Sequence, residues 1–204
     1  MHRTIRLTLT SLLALSLGAC GGRKPIRYYT LQIPAAPTLT ANTSSISLAV
    51  ANVNGAQIFQ NEPIAYRIGV NEIGTYQFSQ WAEPPVNLVR RRLIRMLRSS
   101  GDYQSVVELG SNSAGQFVLR GRLYDFEEVD AGSSISALVS MEFDLYDRKS
   151  GKVVWSHFYS QSDPVQTKEI SAIVTALDSN LDRGLKEVAT GLDQYFSTNL
   201  PKKS

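Results

Sequence analysis

The sequence predicts a single α/β domain, and three observations carry that prediction. Ile135, Ala137, Val139, Met141, Phe143 and Leu145 alternate with Ser136, Ser140, Glu142 and Asp144, the period-2 pattern of a strand with one buried face. Ile173, Leu177, Leu181, Leu185, Val188 and Leu192 recur at helical spacing within a stripe that runs from about Lys168 to Thr198. Val86, Val89, Leu93, Met96 and Leu97 form a second helical stripe between strand-like segments.

The chain begins with a processing signal. His2, Arg3 and Arg6 give a positive start, and an apolar run from Leu7 to Leu17 is interrupted only by Thr and Ser. That run is shorter than the roughly 20 residues that span a bilayer, so residues 1–19 read as a secretory signal peptide. It closes on Leu17-Gly18-Ala19-Cys20, which resembles the bacterial lipobox. The resemblance implies cleavage between Ala19 and Cys20, and lipidation of Cys20 on its thiol and then on its new amino group. Two or more acyl chains anchor a protein stably where one does not. The covalent lipid on Cys20 is the one non-protein group expected; no cofactor is implied.

The elements of the mature chain follow in order. Residues 20–27 form a short lipidated leader, and residues 28–204 form the domain. Arg27 to Leu31 reads as a strand by its aromatic and β-branched content. Its place so close to the lipid predicts docking on the domain, where a plain tether would be polar throughout. Residues 34–45, rich in Pro, Ala, Thr and Ser, read as an internal linker. Ile46 to Val53 is a strand, with Ile46, Leu48 and Val50 on one face, and Asn54-Gly55 is a turn signal. Residues 54–83 are the least regular part, with short strands at Tyr66 to Val70 and Thr75 to Phe78. Pro84-Pro85 suits a helix start, and Ser99-Ser100-Gly101 ends that helix. Phe117, Leu119 and Leu123 share one face of a strand, and Val118, Arg120, Arg122, Tyr124 and Phe126 share the other. The alternating strand from Ile135 and the strand Val153 to Tyr159 pair as a hairpin across Arg148 to Gly151. Gly184 and Gly191 lie seven apart on the last helix and predict close packing of that face on the sheet.

Composition excludes several classes of chemistry. Without residues 1–19 the chain has 185 residues, and losing Arg3 and Arg6 lowers the net charge from +3 to +1. A near-neutral chain in the periplasm does not point to nucleic acid. The mature chain has one histidine, His157, and its single cysteine carries the lipid, so a His/Cys zinc site and Cys–His catalysis are both excluded. No metal site is predicted. Ser156, His157, Ser160 and Asp163 hint at a hydrolase, but strand alternation turns His157 away from Ser156, and no Gly-x-Ser-x-Gly turn occurs. No catalytic residue is assigned. Glu127, Glu128 and Asp130 read as the solvated end of a long hairpin. Arg91, Arg95 and Arg98 share a helix face and are the candidate partner-binding residues. No phosphate-binding Gly-rich loop is present, so any ATPase is a different chain.

Three segments together resemble one family. They are Tyr28-Tyr29-Thr30-Leu31 eight residues after the lipobox cysteine, Trp81-Ala82-Glu83-Pro84-Pro85 running into the Val/Leu helix, and Asp147 to Trp155 with its Gly-Lys-Val-Val-Trp ending. Their order and spacing resemble the ABC-type transport auxiliary lipoproteins, the PqiC-like group, over nearly all of the mature chain. The resemblance implies a mixed β-sheet with flanking helices, similar to the amino-terminal domain of TolB. It implies a docking role beside an MCE-domain protein with its inner-membrane permease and ATPase, in a system that moves lipids or other hydrophobic molecules between membranes. Self-association into a homo-oligomeric ring fits that role, although no motif encodes it. A lipoprotein that itself carries a hydrophobic ligand is the alternative. Gly21 replaces the aspartate that retains enterobacterial lipoproteins at the inner membrane, which implies the outer membrane, facing the periplasm.

Overall fold

A computed structural model describes residues 24–32, 45–110 and 115–199. The signal peptide, Ala19, Cys20 and nearly all of the linker lie outside the described residues. The elements are β1 (Arg27–Tyr29), β2 (Ser47–Gly55), a 3-10 turn (Gln57–Gln60), β3 (Pro63–Ile68) and β4 (Glu72–Trp81), then helix α1 (Pro85–Ser100). They continue with β5 (Ser105–Glu108), β6 (Phe117–Asp130), β7 (Ile135–Asp147), β8 (Lys152–Val165) and helix α2 (Ile170–Asn199).

The strands form one mixed, eight-stranded sheet with two flanking helices, as the resemblance implied. Strand β6 is its hub. Along one edge it pairs in parallel with β2 over its first half, Leu48 opposite Phe117, and with β3 over its second half, Ala65 opposite Glu127. Along the other edge it pairs antiparallel with β7 from Phe117 to Asp130. Strand β5 extends the sheet beyond β2, β4 and β1 beyond β3, and β8 beyond β7.

Both helices pack on one face of this sheet. Helix α1 opens with Pro85 in its first turn and ends at Gly101, whose φ of 74° is the left-handed cap that glycine adopts without a Cβ clash. Leu93 and Leu97 of α1, and Leu177, Leu181, Leu185 and Leu192 of α2, are buried against Leu48, Val50, Leu119, Val139 and Phe143. A Cβ at Gly184 would lie 2.4 Å from Met141 Cε and 2.7 Å from the Tyr159 ring, and one at Gly191 2.7 Å from the Trp155 ring. Both glycines therefore let α2 approach large side chains of the sheet. Arg92 of α1, itself buried, ion-pairs with Asp178 and with Asp182 (2.8 Å) and joins the two helices.

The first strand docks on the sheet. Strand β1 adds to the sheet edge in parallel, Arg27 opposite Ser79 and Tyr29 opposite Trp81; the Ala82 amide donates to the Tyr29 carbonyl at 2.7 Å, and Leu31 is buried.

Four local readings change. Asn54-Gly55 is not a turn but the end of β2, because pairing with Arg122 and Leu123 overrides the dipeptide's preference. Residues 54–83 hold a full hairpin, with β4 ten residues long. Strand β5, four residues long, is too short to show a period. In β6 a bulge between Leu123 and Asp125 inserts one residue into the ladder, so Phe126 moves from the face of Arg120 and Arg122 into the core, opposite Val139.

Candidate functional site

The basic helix is largely engaged within the chain. Arg91 ion-pairs with Glu83, Arg90 with Glu108 at 3.0 Å, and Arg98 Nε donates to the Val106 carbonyl at 2.8 Å. Arg92 holds α2. Asp182 shows the strength of that junction. Burial works to raise its pKa, but the Lys186 and Arg92 donors outweigh it and hold the carboxyl below its usual range. Of the three candidate partner-binding residues, Arg91 is ion-paired, Arg98 bonds a backbone carbonyl, and Arg95, half-buried, makes no ion pair with the described residues.

The acidic cluster corrects the expected solvated hairpin end. Glu127 is fully buried and Glu128 nearly so. The β6 bulge and the β3 pairing put Glu127 beside Arg67, whose Nε donates to it at 2.5 Å, while a second Arg67 nitrogen reaches Asp125 at 3.4 Å. Burial pushes the Glu127 carboxyl up, and Arg67 only partly opposes it. Tyr76 Oη donates to Glu128 at 2.5 Å; burial, then this carboxylate, push the Tyr76 phenol up. Asp130 accepts from Lys168 at 2.6 Å and from the Gly132 amide, and these donors hold its carboxyl low. These carboxylates pair with side chains of β3, β4 and the approach to α2, so they serve as fastenings. Among the described residues no group of His, Cys, Asp and Glu has the arrangement of a metal site.

The hydrolase-like residues are not assembled. Ser156 Oγ donates to Asp144 at 2.5 Å, Ser160 meets Ser140 at 2.8 Å, and Asp163 accepts from Arg183 at 2.6 Å. His157 stacks on Trp155 and lies 3.3 Å from Glu187. Each of the four has a different partner, and His157 faces away from Ser156 as alternation predicts.

The surface with interface character is the open face of β6–β8, opposite the helices. Arg120 lies over the Tyr146 ring at 4.6 Å, and Arg122 over the Tyr124 ring at 5.8 Å. Tyr124 and Phe158 meet edge to face at 6.1 Å, and Tyr124 Oη donates to Glu142 at 2.7 Å. Phe158 is 59% exposed and Tyr124 40%. Tyrosine and arginine on a flat, pre-ordered face are the residue types enriched where proteins bind one another. The β6 alternation already turned Arg120, Arg122 and Tyr124 to one side, but Phe158 joins them only through the β7–β8 register, with Glu142 opposite Phe158. At the edge of this face, Asn54, Gly55, Ala56, Arg122, Leu123 and Tyr124 line an open cleft of about 200 Å³. Small-molecule pockets run to roughly 300–1,000 Å³, so this cleft falls short of a carrier's cavity.

Residues 29–189 match the model of the family described as ABC-type transport auxiliary lipoprotein component. Among solved structures the chain is similar to protein XCC0632 from Xanthomonas campestris, of family DUF330: identity is 21%, the match covers 85% of this chain and 99% of that one, and the TM-score is 0.73. An uncharacterized protein is similar at 16% identity, 83% and 99% coverage and a TM-score of 0.66. The hypothetical protein CT253 from Chlamydia trachomatis is similar at 10% identity, 76% and 100% coverage and a TM-score of 0.50. At these identities the likeness is one of fold. No curated protein sequence matches.

Proposed function

The chain belongs to the family of ABC-type transport auxiliary lipoprotein components, and on that premise we propose that it is the lipid-anchored docking component of an MCE/ABC-type intermembrane transport system. Cleavage between Ala19 and Cys20 leaves Cys20 lipidated, and Gly21 in place of aspartate directs the protein to the outer membrane, facing the periplasm. The anchor fixes one end of the assembly. The open face of β6–β8 captures the distal end of an MCE-domain protein whose permease and ATPase sit at the inner membrane. The chain acts by binding and performs no chemistry of its own.

The observation that carries this reading is the pairing of β1 with β4. It leaves only Cys20 to Ile26 between the lipid and the sheet, seven residues that reach at most about 25 Å. A tether running to Ser45 would reach roughly 85–90 Å and would suit a carrier that swings across the periplasm. The short leader suits a platform at fixed height. Affinity capture with the full-length chain from detergent-solubilised envelopes, read by mass spectrometry, tests the assignment. Recovery of an MCE-domain protein, reduced by Phe158→Ala with Tyr124→Ala, is expected. Stoichiometric noncovalent lipid without such a protein would establish the carrier instead.

A further inference from the structure

The edge of the sheet where the leader enters also carries Val70, the most exposed large apolar side chain among the described residues. Strand β1 runs parallel to β4, so its amino-terminal side points toward the β3–β4 hairpin turn. Arg27 stands opposite Ser79, seven residues after Cys20 and seven residues after Glu72 at the start of β4. Seven residues reach at most about 25 Å, so Cys20 lies within that distance of Arg27, and the seven-residue rise of β4 back to the hairpin turn falls within the same reach. Lys24 stays beside β4, its Nζ 5.6 Å from the Phe78 ring.

At that turn Val70 is 83% exposed, Ile68 45% and Ile73 42%. No polar function explains three large aliphatic side chains at one tip. The tip is held in place: Ile68 pairs with Glu72, and the Gly69 amide donates to the Asp130 carbonyl at 3.1 Å. The leader itself carries Arg23, Lys24 and Arg27, three cations within seven residues of the lipid. Apolar side chains beside basic residues are the combination that binds an anionic lipid interface.

We propose that the β3–β4 hairpin tip, through Ile68, Val70 and Ile73, is a second membrane contact that enters the headgroup layer beside the lipidated Cys20 and fixes the domain's orientation on the bilayer. The inference rests on the reading that Cys20 is lipidated. It deepens the platform: with the tip down, β6 rises away from the membrane, and at about 3.4 Å per residue its far end stands some 40 Å or more above the tip.

Cys20 is the only cysteine, so once acylated it leaves the chain open to single-site labelling. Full-length lipidated Val70→Cys, and Val153→Cys near the far turn as control, are labelled with an environment-sensitive fluorophore. Each is reconstituted in phosphatidylethanolamine–phosphatidylglycerol vesicles containing acyl-chain nitroxide lipid. An interfacial side chain sits roughly 5–10 Å into the headgroup boundary, so about threefold greater quenching at position 70 than at 153 is expected. Equal quenching at the two positions in protein whose mass shows the acyl chains overturns this inference alone. A blue-shifted but unquenched label at 70 means that a protein surface covers the tip, and also overturns it. A mass without acyl chains removes the anchor reading, and this inference falls with it.

Discussion

The two faces of the β6–β8 sheet carry the same backbone and opposite chemistry. On the helix side Ala137, Val139, Met141, Phe143 and Leu145 are all buried beneath α2, and Gly121 leaves the space that the Phe143 ring fills: a Cβ there would lie 2.5 Å from it. On the open side the alternate positions hold Arg120, Arg122, Tyr124, Glu142, Asp144 and Phe158, ordered by cation–π contacts and hydrogen bonds but left to solvent. Burial of the first face stabilises the fold. The second contributes little to stability and is therefore free to be selected for binding.

Substitutions on the two faces should separate accordingly. The largest effect is expected at Phe143→Ala, which leaves a cavity between Gly121, Val53 and α2 and should lower unfolding stability by about 3–5 kcal/mol in denaturant titration. A loss below about 1 kcal/mol would mean that the closed face is not packed as described. Next is Gly184→Ala, where the new methyl group must displace Met141 and the Tyr159 ring; about 1–3 kcal/mol should be lost, with α2 pushed from the sheet. Its readout is the same titration, and an unchanged midpoint would show that Met141 yields freely.

Glu127 tests the boundary between the faces. Its carboxyl is raised by burial, so its contribution to stability is full below the ordinary carboxylate range and is lost as pH rises through its folded value. Glu127→Gln removes that loss while Arg67 keeps Asp125. The melting temperature of the variant relative to the parent should therefore be higher at about pH 7 than at about pH 4. Equal differences at the two pH values would show that Arg67 fully offsets the burial. The smallest effect on stability belongs to the open face: Phe158→Ser should change unfolding free energy by no more than about 0.5 kcal/mol. The same variant should weaken capture of the partner. A large loss of stability with unchanged capture would invert the comparison.

The pattern of what could be read early follows from the range of the interactions involved. Helix α1 with its proline start and Gly101 cap, the alternation of β7, the stripe of α2 and the strand Arg27–Tyr29 are local properties, written within one or two turns or a few residues. The run Leu17-Gly18-Ala19-Cys20 that resembles a lipobox, and the shortage of histidine and cysteine, are likewise legible as composition and order. The open-face site was only half legible: Tyr124 and its arginines lie on one strand, whereas Phe158 needs the register of the next hairpin.

What the sequence by itself determined is therefore the set of periodic elements. Only the tertiary structure decided the rest. The bulge at Tyr124 reversed the face of Phe126, pairing with β6 turned Asn54-Gly55 into strand, and β3 brought Arg67 to a buried Glu127. Packing of α1 against α2 converted Arg92 from a surface cation into a buried tie. Each of these depends on residues well separated in the chain, from 15 positions between Asp125 and Ser140 to 90 between Arg92 and Asp182. A bulge, a register or an ion pair is selected by the energy of the assembled sheet and helices, in which a single buried carboxylate or inserted residue outweighs the short-range preference that the local sequence expresses.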